Sequence, residues 1–299
     1  MPRLECVPNV SEGRDRAVVD RLAETLATTP GVALLDVHQD AVHHRSVFTC
    51  IGEAAALTDG IARLVGAAID LVDLRRHRGA HPRIGAVDVV PFVPVAGATM
   101  ADAVAAARHA ATVVADSYGV PVLLYEEAAS APHRRRLEHV RRGQFEGLEA
   151  RLAEPAWRPD AGPARPHPTA GAIAMGARRL LVAWNINLAT DRLEVATAVA
   201  RAIRESGGGL PAVKAMGLAL PDRGLVQVSM NLVDVERTPM HVVYDAVERE
   251  ARRHGVAIAE SELIGLVPAA AVGAAAADRL RIAGWQGSRV LDSRLLDGR

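Results

Sequence analysis

Twice along its length this chain sets short runs of branched apolar residues against stripes of helical period, each time in the order strand, helix, strand, strand, helix, strand. In the first pass, RLECVPNV (3–10) reads as a strand, and Val18, Leu22 and Leu26 then recur on one face of a helix. VALLDVH (32–38) and RSVFTCIG (45–52) follow as two strands rich in branched residues. Leu57, Ile61, Leu64, Val65, Ala68 and Val72 trace a second helix ending near His77, with Gly79 as its C-terminal cap. GAVDVVPFVPV (85–95) is strand-like, but Pro91 and Pro94 cannot donate to a ladder, which assigns it to an edge or a bulge. Thr99 with Asp102 forms a capping box for an alanine-rich helix to about Gly119, and PVLLYEE returns as a strand.

Residues 128–170 change character, from basic clusters (Arg134 to Arg136, Arg141, Arg142) to the proline- and glycine-rich EPAWRPDAGPARPHPTAG, and read as a linker. Beyond it, RRLLVAWNINL, a helix carrying Leu193, Ala196, Ala200 and Ile203, the strands VKAMGLAL and GLVQVSMNLV, a helix started by Thr238-Pro239 and the strand in VAIAESELIGLVP repeat the order. A short alanine-rich helix at 269–277 closes the chain. The expectation is an α+β protein of two α/β subdomains, residues 1–165 and 166–299, each of βαββαβ (ferredoxin-like) topology, with a groove between them.

Thirty-five basic residues balance thirty-five acidic ones, so no net field recruits nucleic acid or a membrane surface. Aromatic residues make up 3% of the chain, which argues against base-stacking platforms. Cys6 and Cys50 are the only cysteines and show no CxxC spacing, which fits a reducing cytoplasm and leaves buried thiols as the plain reading. No apolar run reaches the roughly 20 residues a membrane span needs.

Among residues that can carry chemistry, His81 comes first, in RGAHPRIGAVD (78–88). A glycine and a proline close to it stiffen a loop between helix and strand, and imidazole exchanges a proton near neutrality. The alternative is a loop histidine bonded to backbone. His77 and His81 have i, i+4 spacing, but Gly79 and Pro82 break the helix that would align them, so no zinc site is expected. HQDAVHHR (38–45) brings three histidines, Asp40 and Arg45 together; Asp36 or Asp40 can orient His81, or the run is a solvated loop. GPARPHPTAG (162–171) is either a bare linker or a stiff backbone lining a ligand channel. Asn185, Asn187 and Asn231 sit in apolar strands, as structural amides or as groups recognising a heterocycle or an amino acid. There is no Walker A, G-x-G-x-x-G or G-x-S-x-G pattern.

Taken together, ECVPNVSEGRD (5–15), LLDVH with RSVFT, HRGAHPRIGAVDVVPFVPV (77–95), WRPDAGP, HPTAG, AWNINL (183–188), QVSMNLVD (227–234) and LIGLVP (263–268) resemble glutamate formimidoyltransferase, in order, from about residue 4 to about residue 290. The resemblance implies two α/β subdomains enclosing a folate tunnel, a homodimer, and transfer of the formimino group from N-formimino-L-glutamate to N5 of tetrahydrofolate as co-substrate, without a metal, in histidine degradation. The family's catalytic histidine matches His81. Its folate-binding segment matches Gly162, Pro163, Ala164, Arg165 and Pro166, then His167, Pro168, Thr169, Ala170 and Gly171. Arg45 and Arg83 are the candidates for the glutamate carboxylates, because a guanidinium binds a carboxylate through parallel hydrogen bonds; Asn185 and Asn187 are candidates to face the tunnel. His44 stands where an asparagine is common in the family, and His38 where some members are acidic. The chain ends at Arg299, without the cyclodeaminase domain fused to the animal enzyme, so a separate cyclodeaminase is the expected consumer of the product. The rival readings are the same fold acting on N-formylglutamate, a noncatalytic folate-binding protein, and a zinc hydrolase.

Overall fold

The structure is a computed structural model and describes residues 2–271 and 279–297, so the alanine-rich helix expected at 269–277 lies mostly outside the described residues. Two compact units divide between Arg178 and Arg179.

The first unit runs β1 (Arg3–Cys6), β2 (Asn9–Val10), α1 (Arg16–Ala27), β3 (Val32–Asp40), β4 (Arg45–Gly52), α2 (Ala54–Leu71), β5 (Val87–Val95), α3 (Met100–Tyr118), β6 (Val122–Glu126), the short α4 (Leu137–Val140) and α5 (Leu148–Leu152), and β7 (Ile173–Ala177). β1 and β2 lie end to end between β4 and β5, so the strands are ordered β3, β4, β1/β2, β5, β7, β6. The antiparallel part is the expected βαββαβ unit; β7 and β6 extend it in parallel from β5. Alternation along each strand sends Leu4, Cys6, Phe48, Cys50, Val90 and Phe92 under the helices, where they meet Leu22, Leu26, Ile61, Leu64 and Val114. The Thr99–Asp102 capping box and a left-handed Gly119 bound α3 as the sequence indicates.

Three expectations are corrected. First, residues 128–170 are not a linker. The chain packs Val140, Leu148 and Leu152 against Leu123 and Ala174, then returns as β7 between β5 and β6, which moves the unit boundary from 165/166 to 178/179. Second, β5 is central despite its prolines. Pro91 accepts from the Val7 N–H at 3.2 Å where β1 gives way to β2, and the Val7 carbonyl, which a non-proline residue would serve, instead accepts from Asn9 Nδ2 at 2.7 Å. The bulge lies elsewhere: Asn9 pairs with Val89 and Val10 with Val87, leaving Asp88 as the extra residue. Third, α2 ends at Leu71, because the Asp73 carboxylate turns the chain by accepting the Arg75 N–H at 3.0 Å. Gly79 is no helix cap; a Cβ there would lie 2.4 Å from the His43 carbonyl oxygen.

The second unit is β8 (Val182–Leu188), α6 (Leu193–Ile203), β9 (Val213–Leu220), β10 (Leu225–Leu232), α7 (Met240–Arg253) and β11 (Ile258–Ile264), with strand order β11, β8, β10, β9, all antiparallel. Val182, Trp184, Ile186 and Leu188 face the core under both helices. The other side of β8 carries Asn185 and Asn187.

Candidate active site

The loop from Val72 to Ala86 carries His81, and backbone hydrogen bonds tie it at both ends to the glycine- and proline-rich passage far downstream. The Leu74 N–H donates to the Thr169 carbonyl at 2.9 Å, Ala86 to Ala170 at 3.0 Å, and Ala172 to Ile84 at 3.0 Å. Glycines permit this closeness. Gly171 has φ +67°, and a Cβ on it would lie 2.1 Å from the Ile84 carbonyl oxygen. Within Gly162–Gly171, His167 and Gly171 exchange N–H···O bonds of 2.8 and 2.9 Å, and His167 Nδ1 accepts the Ala170 N–H at 3.1 Å. Burial lowers the His167 pKa, consistent with a ring whose Nδ1 serves as an acceptor.

His81 is half-buried. Its Nδ1 lies 2.9 Å from the Pro82 carbonyl and 3.2 Å from Arg45 Nη1. The carbonyl only accepts and the guanidinium only donates, so the two contacts call for opposite protonation of Nδ1; with the proton on Nδ1 the shorter contact, to Pro82, becomes a hydrogen bond and Nε2 carries the lone pair. Burial lowers the His81 pKa well below the ordinary histidine value, and the charges of Arg45 and Arg141 add to the effect.

Behind this ring lies a charged layer built on Asp88, which has no exposed surface. The bulge aims its carboxylate so that Oδ1 accepts the Ile84 N–H at 2.8 Å, while Oδ2 accepts from Arg45 Nη1 at 2.9 Å and Arg141 Nη2 at 2.5 Å. Burial pushes the Asp88 carboxyl up, but Arg141 and Arg45 outweigh it, and the net shift is downward. Arg45 is further clamped by Asn9 Oδ1, which accepts from its Nε at 2.9 Å and Nη2 at 2.6 Å. Burial, reinforced by Arg141, draws the Arg45 pKa down to about 10, so it stays charged at neutrality. Two guanidiniums on one carboxylate leave one positive charge uncompensated beside His81.

The other candidates fall in different places. Arg83 is buried, and its guanidinium is taken by Glu146 through bonds of 2.8 and 2.6 Å and by His77 Nδ1 at 3.1 Å, so it is a structural cation. His77 donates from Nε2 to the His44 carbonyl at 2.8 Å, and burial lowers its pKa to about 4. Asp40 orients His43 rather than His81: its Oδ2 is 2.6 Å from His43 Nδ1, and its Oδ1 accepts the Val42 and His43 N–H groups at 2.9 and 2.8 Å. Asp36 lies opposite Thr49 on β3, and its buried Oδ2 has no hydrogen-bond partner. His44, with φ +51°, turns away to meet the Arg78 carbonyl and Glu12, both at 3.1 Å, and stacks on His77 at 4.1 Å. In the second unit Asn187 accepts from Gln227 at 3.0 Å and donates to Glu260 at 3.2 Å; Asn185 is buried across from Ser229. Cys6 and Cys50 are buried free thiols paired across β1 and β4. Among the described residues no group of three His, Cys, Asp or Glu side chains is placed to hold a metal ion.

Sequence reasoning missed Asn9, Asp88 and Arg141. Asp88 had a signal, a lone acidic residue inside an apolar strand. Arg141 had none, because its partner lies 53 positions away.

Comparison with known proteins agrees with this architecture. Residues 3–178 match the family model described as the formiminotransferase domain, N-terminal subdomain, and residues 183–281 match the formiminotransferase domain. The chain is 45% identical over 269 residues to glutamate formimidoyltransferase of Streptococcus pyogenes serotype M1, covering 90% of each. It is 40% identical over 297 residues to the Thermoplasma acidophilum protein of the same name, covering 99% of this chain and 98% of that one. Formimidoyltransferase-cyclodeaminase of Sus scrofa is 42% identical over 280 residues, which are 92% of this chain and 52% of the pig protein.

Proposed function

We infer the activity of this chain from the family to which it belongs, the formiminotransferases, and from His81 in its first unit. It transfers the formimino group from N-formimino-L-glutamate to N5 of tetrahydrofolate, giving L-glutamate and 5-formiminotetrahydrofolate. The observation that carries the reading is the placement and state of His81: Nδ1 lies 2.9 Å from the Pro82 carbonyl, and burial with the charges of Arg45 and Arg141 favours the neutral ring.

The chemistry follows from that state. N5 of the folate attacks the amidine carbon, and its proton passes to His81 Nε2 as the new C–N bond forms. The tetrahedral intermediate collapses by breaking the bond to the glutamate nitrogen, which takes the same proton back from Nε2. No proton is gained or lost overall, and the neutral ring is restored. Arg45 and Arg141 hold a donor carboxylate, because their single shared counterion leaves capacity for a second anion. Gly162–Gly171 forms part of the folate site, a role supported by its attachment to both ends of the loop that carries His81. Asn185 and Asn187 serve ligand recognition. The reaction takes place in the cytoplasm in a homodimer.

The test is a paired assay with tetrahydrofolate and either formiminoglutamate or formylglutamate. Glutamate release and formation of 5-formiminotetrahydrofolate from the first donor are expected. Turnover confined to the formyl donor would replace this reading with a formyltransferase, and folate binding with no turnover would replace it with a binding protein.

A further inference from the structure

His43 takes no part in the transfer just described, yet it is built as carefully as His81. Three hydrogen bonds fix the Asp40 carboxylate, one of them to His43 Nδ1 at 2.6 Å, so the ring has a single orientation with its Nδ1 proton directed at Asp40. The residue is 6% exposed, and its Nε2 is buried without a hydrogen-bond partner. An apolar side chain would fill this space without leaving a nitrogen unpaired. The ring meets His81 edge to face, with centroids 6.0 Å apart and planes at 79°. Backbone contact holds the two loops together, since the Ala80 N–H donates to the Val42 carbonyl at 3.3 Å and Gly79 leaves no room for a Cβ against His43.

We propose that His43, backed by Asp40, is a positioning residue for His81: it braces the ring from the side and, when protonated, places a positive charge beside it that keeps Nε2 free to accept the proton from the folate amine. A carboxylate meets Nδ1 of His43, whereas Nδ1 of His81 meets only a carbonyl and a guanidinium. His43 adds to the lowering of the His81 pKa that burial, Arg45 and Arg141 produce. The charged and titratable groups around the two rings are Asp40 and His38 from β3, Arg45 from β4, Asp88 from β5, and Arg141. This inference rests on the transfer reaction assigned above for its catalytic meaning, but its first readout does not need turnover.

The experiment follows the ring nitrogens of His81 by NMR against pH in the full chain, without substrates, in the wild type and in His43→Gln. Removing the neighbouring charge is expected to raise the titration of His81 by about one unit. The acid limb of kcat/KM for formimino transfer should move up by a similar amount. If His43→Gln does not fold, Asp40→Asn carries the test, since it keeps the ring but removes the carboxylate that its charged form bonds; His81 should again titrate higher, by less. A His81 titration that coincides in wild type and variant overturns the proposal. Absence of formimino transfer by the wild type, with the NMR shift present, would instead overturn the assigned reaction and leave the coupling intact.

Discussion

Asp88 Oδ2 lies 2.9 Å from Arg45 Nη1 at a position with no solvent exposure, and Arg141 reaches the same oxygen. Removing that carboxylate strands two buried cations. Asp88→Asn is therefore expected to lower unfolding free energy by about 3–5 kcal/mol, the range for breaking a buried ion pair from one side. Urea denaturation at neutral pH measures it. Because the Asp88 pKa is lowered in the fold, its contribution is present above the unfolded carboxyl value and fades as pH falls through the folded one.

Replacing His81 separates catalysis from binding. His81→Ala should reduce kcat by about 10²- to 10⁴-fold, the usual worth of a positioned acid–base group. Folate affinity, read by equilibrium titration, should change much less. In the wild type the base must be unprotonated, and its pKa lies below 6.5, so kcat/KM should hold through mildly acidic pH and fall only below the value of free imidazole. Full activity in His81→Ala would remove the ring from its role.

Arg141→Met leaves one guanidinium on one buried carboxylate. Donor KM is expected to rise about tenfold or more, since a hydrogen bond to a charged group contributes about 1.5–3 kcal/mol. Thermal stability should change little, because the surviving Arg45–Asp88 pair is neutral. An unchanged donor KM would move the carboxylate site elsewhere.

The Arg83–His77 pair predicts the acid sensitivity of the fold. His77 is held neutral with a pKa of about 4, against 6.5 for a free, exposed histidine, so between these limits the unfolded chain binds more protons than the folded one. Stability should decline as pH drops through that window. His77→Gln should flatten the decline, as followed by thermal unfolding across a pH series. Arg83→Ala should destabilise the protein while leaving donor KM unchanged, because Glu146 and His77 already occupy its guanidinium.

Gly171→Ala combines a left-handed backbone with a Cβ 2.1 Å from the Ile84 carbonyl oxygen. Strain at such a position costs on the order of 1–3 kcal/mol before the overlap is counted. Folate affinity is expected to fall along with the melting temperature. Gly119→Ala, whose φ is +64° but whose Cβ would meet nothing within 4 Å, provides a comparison that should lower stability without touching folate binding.

Most of the two βαββαβ units was legible because their apolar periodicities are local, and the Thr99–Asp102 box and Gly119 stop are local as well. Misreadings arose where distant partners changed what a residue could do. Pro91 sits in a central strand because Asn9 serves the carbonyl it cannot. The passage at 128–170 has the composition of a linker, but Val140, Leu148 and Leu152 pack it on the first sheet. At the site, the chemical character of His81 could be read from its neighbours, whereas the allocation of carboxylates could not. Asp40 goes to His43, three residues away in its own loop, and Glu146 reaches Arg83 from 63 positions away, a pairing set by loop closure.

The clasp between the His81 loop and residues 169–172 also orders events during synthesis. The ring emerges from the ribosome about ninety positions before the strand that locks its loop, at translation rates of about 5–20 residues per second. For several seconds the nascent chain holds its histidine on an unfastened loop, and a ribosome stalled before β7 would display a first unit with helices formed and the acid–base centre still loose.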